Sequence, residues 1–264
     1  MTKKTTILVT RPQRQGKILE DVWANPAWEW LFQPTIAIDE PEDGYAALDQ
    51  AVADCGNVDW IVFSSVNGVE AFVNRWKIGG KEIAALRGKK FAAIGPGTEK
   101  RLKEAGISVD FVPPVFRAEG LAEGLLPWAE KGEHFLLIRA SRGREVLAER
   151  LLAGGGQVSQ VVAYSSRDVT PDSPAWNPQI LVRMEAGEID FTTVTSSAIA
   201  RSLVRLFGQA LRQTKLLSIS SLTSDVLRQA GFPPFREAAE ATMESLLETI
   251  RQETGGNRQT PGKG

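Results

Sequence analysis

The sequence predicts an α/β protein of two similar domains with parallel sheets, on three observations. Short apolar runs alternate with amphipathic stretches along the chain, the signature of strands covered by helices on both faces. The chain also resembles itself. DWIVFSSVNGVEAF at 59–72 returns as DFTTVTSSAIARSL at 190–203. FAAIGPGTEKRLKEAG at 91–106 returns as LLSISSLTSDVLRQAG at 216–231, and AEGLAEGL at 118–125 as ATMESLLE at 241–248, all at nearly one offset. A period this long is that of whole domains, since solenoid repeats run about 20–50 residues. Finally, 264 residues suit two cores of roughly 120 residues each.

In order, TILVT at 6–10 is the first strand, and Arg11 follows it. QPTIAID at 33–39 is extended and β-branched, with no helix after it on the usual schedule. WIVFS at 60–64 is a strand and 69–76 an amphipathic helix; KFAAI at 90–94 leads to a helix at 99–104 closed by Gly106. VDFV at 109–112 reads as a further strand. FLLIR at 135–139 precedes a helix at 146–152 closed by Gly154, and QVSQVVAYSSR at 157–167 is the second extended stretch. FTTVT at 191–195 and LLSIS at 216–220 are strands with helices at 198–211 and 224–230, the last closed by Gly231. The two extended stretches suit a two-stranded β-ladder, with linkers at 35–39 and 160–167. One domain is then 40–159, and the other joins 1–34 to 168–254. The Gly- and Pro-containing tail, 255–264, is expected to be disordered.

Composition excludes several functions. Lys plus Arg is 31 and Asp plus Glu 32, a net charge of −1, so no footprint for duplex nucleic acid is expected. Hydrophobic residues are 42% and charged residues 24%, an ordinary globular balance. A single cysteine, Cys55, excludes an intrachain disulfide and a thiolate cluster; a single histidine, His134, excludes a two-histidine metal site. Metal-free chemistry is expected. No window of about 18 apolar residues occurs, so no membrane span is expected. The apolar run at 7–9 is too short for a signal peptide, which with the free thiol points to the cytoplasm. Cys55 reads as a small buried residue and His134 as a surface residue. The tryptophans at 23, 28, 30, 60, 76, 128 and 176 are scattered anchors, unlike a nucleic-acid platform. GPGTEK at 95–100 is neither a GxGxxG fingerprint nor a Walker loop, which sets aside a nucleotide-dependent enzyme. ILVTR at 7–11 lacks the acidic cluster of a phospho-acceptor receiver.

In parallel α/β sheets ligands lie beyond the carboxyl ends of the strands. Those ends carry Ser64, Ser65 and Asn67; Gly95, Gly97 and Thr98; Thr195, Ser196 and Ser197; and Ser220 and Thr223. Arg11 follows the first strand, and Arg139, Ser141, Arg142 and Arg144 follow another. Helix N-termini expose N–H groups and bind anions. Ser, Thr and Asn are also preferred N-caps, so capping alone explains any one loop. Four such loops with Arg11 and Arg139 would line a cleft between the domains with donors and few acids, a receptor for a polycarboxylate or polyphosphate. Tyr164, one of two tyrosines, lies in the second extended stretch. It is either a proton donor, with an ordinary pKa near 10, or a phenol anchoring the hinge.

Several pieces carry a resemblance: ILVTRP at 7–12, FSSVNGV at 63–69, AIGPGT at 93–98, and Val112-Pro113 with AEGL at 118–121. The segment from LIR at 137–139 to Tyr164, VTSS at 194–197, SISSLT at 218–223 and ATMESL at 241–246 continue it. In this order and spacing, to about residue 253, the chain resembles the uroporphyrinogen-III synthase family. The resemblance implies two flavodoxin-like domains joined by a β-ladder, with the active site in the inter-domain cleft. It further implies a cofactor-free, monomeric, cytoplasmic enzyme of tetrapyrrole biosynthesis. Such an enzyme closes hydroxymethylbilane, which bears eight carboxylates, to uroporphyrinogen III with loss of water and inversion of ring D. Loss of the hydroxyl gives an azafulvene cation; attack at the substituted carbon of ring D gives a spiro intermediate, which fragments and recloses inverted. Unaided closure gives the symmetric isomer I, so catalysis is largely positioning.

By the same resemblance, Tyr164 matches the tyrosine that assists the leaving hydroxyl. Thr98 and Thr223 match the cleft threonines, and Ser65 and Ser196 the substrate-contacting serines. Arg11, Ser64, Asn67, Arg139, Ser197 and Ser220 complete the expected substrate-binding set. The upstream hydroxymethylbilane-forming enzyme is a candidate partner. Two departures, Ala140 for a common glycine and Ser221 for a common proline, bear on loop shape alone. The alternative is a two-lobed protein that binds a polyanionic small molecule without catalysis, and ligand turnover separates the two.

Overall fold

Burial on both faces marks the central strands. The computed structural model describes residues 4–11 and 25–255. In chain order its elements are β1 (Thr5–Val9), β2 (Trp28–Phe32), β3 (Ile36–Asp39), α1 (Ala46–Ala53), β4 (Trp60–Phe63), α2 (Val66–Ile78) and β5 (Lys90–Ala93). There follow α3 (Pro96–Glu104), α4 (Ala118–Ala129), β6 (His134–Ala140), α5 (Val146–Ala153), β7 (Gln157–Asp168) and α6 (Pro178–Glu185). The last are β8 (Phe191–Val194), α7 (Ser197–Phe207), β9 (Lys215–Ser218), α8 (Ser221–Gln229), β10 (Arg236–Glu237) and α9 (Met243–Glu253). Ile7, Leu8 and Val9 of β1, and all four residues of β4, are buried, as continuous apolar runs between helical layers must be.

The chain divides into two units, Met1–Ala37 with Arg167–Gly264, and Ile38–Ser166. The first holds a sheet of order β10-β9-β8-β1-β2, every pair parallel. The second sheet has the order β3-β7-β6-β4-β5, with β4 parallel to β5 and β6, and β6 to β7. In the first sheet β1 pairs with β2 on one side and β8 on the other, and in the second β4 pairs in the same way with β5 and β6. The order therefore reverses between β1 and β8, and again between β4 and β6, the flavodoxin-like arrangement. The crossings between units fall within β3 and β7, which are neighbours in the second sheet.

Two local expectations are corrected, and one strand is added. The strand at 109–112 reduces to a single bridge between Phe111 and Ala92, because Pro113 and Pro114 have no N–H to continue it. The helix expected at 198–211 ends at Phe207, where Gly208 turns at φ 49 into the 3-10 segment Gly208–Gln213. As expected, α5 closes on Gly154, its C-cap, and the left-handed turn follows at Gly155 (φ 94). Strand β2 went unanticipated because it is an edge strand, with only Trp28 buried and the rest half-buried. Residues 256–264 of the expected disordered tail, and Trp23, lie outside the described residues.

A buried hydroxyl chain ties α8 to the sheet edge. Ser218 Oγ lies 2.6 Å from Ser224 Oγ, and Ser224 donates to Glu237 Oε2 at 2.5 Å. Ser224→Ala leaves a buried hydroxyl and a carboxylate without this partner, so about 1–3 kcal/mol of stability should be lost. A thermal melt checks this, and an unchanged melting temperature contradicts it.

Candidate functional site

The sequence repeat is a repeat of one local geometry. Each strand β4, β5, β8 and β9 exits into an extended N-cap: Ser65 (φ −167, ψ 158), Gly95 (φ −176, ψ 178), Ser196 (φ −166, ψ 161) and Ser220 (φ −162, ψ 163). The helices α2, α3, α7 and α8 start there, so their first N–H groups have no partners within the helix. Thr98 and Thr223 hold the same place in the first turns of α3 and α8, and are only 4% and 2% exposed.

In the second unit, a cavity of about 240 Å³ opens at the carboxyl ends of β4 and β6, where the strand order reverses. Ser64, Arg139, Arg142, Arg144, Gln160 and Tyr164 line its polar side. The Tyr164 hydroxyl donates to Ser65 Oγ at 2.9 Å, and Asn67 also hydrogen-bonds the phenol. Ser65 Oγ accepts from Gly68 N at 3.1 Å as well, so both its lone pairs are in use and its own proton is available to an acceptor. Burial pushes the Tyr164 phenol above its ordinary pKa, and its hydrogen bonds with Ser65 and Asn67 oppose this in part. The phenol therefore keeps its proton at neutral pH. Ser64 Oγ donates to Ile138 O at 3.4 Å, across the same pair of strand ends.

Arg139 sits in this cavity with a carboxylate already bound. Its guanidinium donates to Glu145 and to Gln160 Oε1 at 2.7 Å, and Gln160 Nε2 donates to Glu145 Oε2 at 3.0 Å. Arg139, then Gln160, holds the Glu145 carboxyl below its ordinary range. A ligand carboxylate must therefore displace Glu145 or share its arginine. Sequence reasoning missed this trio; Glu145 directly follows the arginine loop, and Gln160 faces Leu137 on the neighbouring strand.

In the first unit, Ser196 Oγ accepts from Ile199 N at 3.2 Å, the same cap that Ser65 makes. Ser197 Oγ donates to Leu222 O at 3.3 Å, tying the start of α7 to the start of α8, and Ser220 Oγ lies 3.2 Å from Thr223 Oγ1. Arg11 follows β1, the strand beside β8, and Thr10 Oγ1 donates to Thr193 O at 2.5 Å between the two ends. Burial lowers the Arg11 guanidinium below its ordinary pKa and the Glu244 carboxylate opposes this; it remains a cation at neutral pH. The expected residues thus stand just past strand ends, in the first helical turns that follow them (Asn67, Thr98, Ser197 and Thr223) or, for Arg139 and Tyr164, within β6 and β7. Ser64, Arg139 and Tyr164 line one cavity, and Ser65 and Asn67 join them through hydrogen bonds with the Tyr164 phenol. Among the described residues, no three of His, Cys, Asp and Glu gather closely enough to hold a metal ion, and no helix is long and apolar enough to cross a membrane.

Known proteins share both sequence and fold with this chain. The uroporphyrinogen-III synthase of Synechococcus elongatus is 28% identical over 257 residues, covering 94% of each chain. That of Chlorobaculum parvum is 24% identical over 229 residues, covering 86% of this chain and 89% of its own. In fold, the chain resembles crystal structures of uroporphyrinogen III synthase from Thermus thermophilus (TM-score 0.66, 18% identity, 96% of this chain and 100% of the other) and Helicobacter pylori (TM-score 0.61, 18% identity, 94% and 99%). The family model described as uroporphyrinogen-III synthase HemD matches residues 25–248. With most of its length matched in this way, the chain belongs to the uroporphyrinogen-III synthase family, which cyclises hydroxymethylbilane in tetrapyrrole biosynthesis.

Proposed function

We propose that Tyr164 gives its proton to the departing hydroxyl of hydroxymethylbilane, while strand-end donors of both units hold the substrate's carboxylates. The observation that carries this reading is the buried, protonated phenol fixed by Ser65 and Asn67 beside a donor-lined cavity. As the C–O bond breaks, the phenolic proton leaves with the hydroxyl as water and the azafulvene cation remains. Attack by ring D, fragmentation and inverted reclosure follow. The proton lost as the final pyrrole regains aromaticity restores the phenol, so the sum is loss of one water.

Binding is assigned to Ser64, Ser65, Asn67 and Thr98 of the second unit and to Arg11, Ser196, Ser197, Ser220 and Thr223 of the first. Each hydrogen bond to a charged carboxylate is worth about 1.5–3 kcal/mol. Arg139 is assigned a secondary role, because Glu145 competes for it. We further assign the chain to the cytoplasm as a monomer that takes its substrate from the hydroxymethylbilane-forming enzyme. A substrate that closes unaided to the wrong isomer favours a short transit. The test follows hydroxymethylbilane generated in situ: the chain should consume it faster than it closes spontaneously, and a rate equal to the spontaneous one contradicts the proposal.

A further inference from the structure

Two consecutive bulky apolar residues, Val115 and Phe116, are each 48% exposed in the loop between Pro114 and α4. Close approaches at two glycines pin this loop. A Cβ at Gly120 would fall 2.4 Å from Val115 O, so the first turn of α4 closes directly on that carbonyl. A Cβ at Gly95 would fall 3.3 Å from Phe116 Cβ and Cγ, so the aromatic side chain rests on the residue that caps α3. Arg117 N donates to Val115 O at 2.8 Å and closes the turn. Ile94 precedes Gly95 and Ala118 follows the loop, and both line the cavity that also holds Arg139 and Tyr164. The half-exposed ring is therefore held against residues that adjoin the lining of that cavity, at the N-terminus of α3. An aromatic surface ordered in advance binds at low entropic cost.

We propose that Phe116 is a substrate-positioning residue whose exposed face packs on a pyrrole ring of the linear tetrapyrrole. This rests on the reading of the site given above. The strand-end donors then take the acidic side chains, while Phe116 takes the apolar ring that those chains decorate. A pyrrole held against a fixed ring is restrained during fragmentation and reclosure, so Phe116 bears on which isomer forms.

The test compares Phe116→Ala, Phe116→Tyr and the parent chain for KM, kcat, isomer composition and melting temperature. Phe116→Ala should raise KM about tenfold, the size of one aromatic contact, and increase the share of isomer I. Phe116→Tyr, which keeps the ring, should restore both. The melting temperature of Phe116→Ala should stay close to the parent's, because half the ring is already in water. If Phe116→Ala lowers the melting temperature while KM and isomer composition hold, the ring is structural and the proposal is overturned. Failure of Phe116→Tyr to restore an altered KM also overturns it. A parent chain no faster than spontaneous closure would instead refute the reading of the site.

Discussion

Tyr164→Phe should slow ring closure by severalfold to about 10²-fold, the effect of one positioned proton donor, with KM little changed. The size is bounded by chemistry: hydroxymethylbilane loses its hydroxyl unaided, so the phenol assists a step that water already permits. Folding should survive, because the ring still fills its buried place in β7 and Ser65 Oγ still caps α2 through Gly68 N. The pH profile provides a second signature. Burial raises the phenol's pKa, so the proton stays in place through neutral and mildly alkaline pH, and the Tyr164-dependent part of the rate should be flat there. The folded state favours the protonated phenol. Its contribution to stability is therefore present below the ordinary value near 10 and is lost as pH rises through the folded pKa. A Tyr164→Phe chain with the parent's rate would remove this group from the mechanism and leave it a hinge residue.

The double variant Thr98→Val, Thr223→Val should raise KM at least about tenfold, since each hydroxyl lost from a charged partner weakens binding. The two threonines are counterparts in the sequence repeat, each buried in the first turn of a helix that begins at a strand's carboxyl end. Valine matches threonine in shape, so packing is retained and the loss should appear in binding. Unchanged KM with a lower melting temperature would show that these hydroxyls cap and brace the helices. Substrate contact would then pass to Ser65 and Ser196, whose caps leave a proton to donate.

The sheets were legible because strands covered on both faces read as continuous apolar runs, as in WIVF at 60–63. Edge positions broke that rule: in β2 the residues after Trp28 are half-buried, and β10 has only two residues. Strand-end hydroxyls were legible because the repeat places Ser65 against Ser196 and Thr98 against Thr223. What stayed hidden depends on contacts distant in sequence. Tyr164 and Ser65 are 99 positions apart and meet because β6 lies between β4 and β7. The placement of Phe116 follows from its side chain's contact with Gly95 and the approach of Val115 O to Gly120, which no local pattern announces. Arg139 read as an anion ligand because sequence gives a charge and not its partner, and Glu145 is that partner.

The isomer composition of the product provides the most direct measurement. Hydroxymethylbilane is generated in situ with the chain present, and the products are oxidised and separated as uroporphyrins. Predominantly isomer III is expected, which requires ring inversion and hence a substrate held during reclosure. Isomer I alone from folded protein would mean that only unaided closure occurred, and the strand-end donors and Tyr164 would then have no part in catalysis.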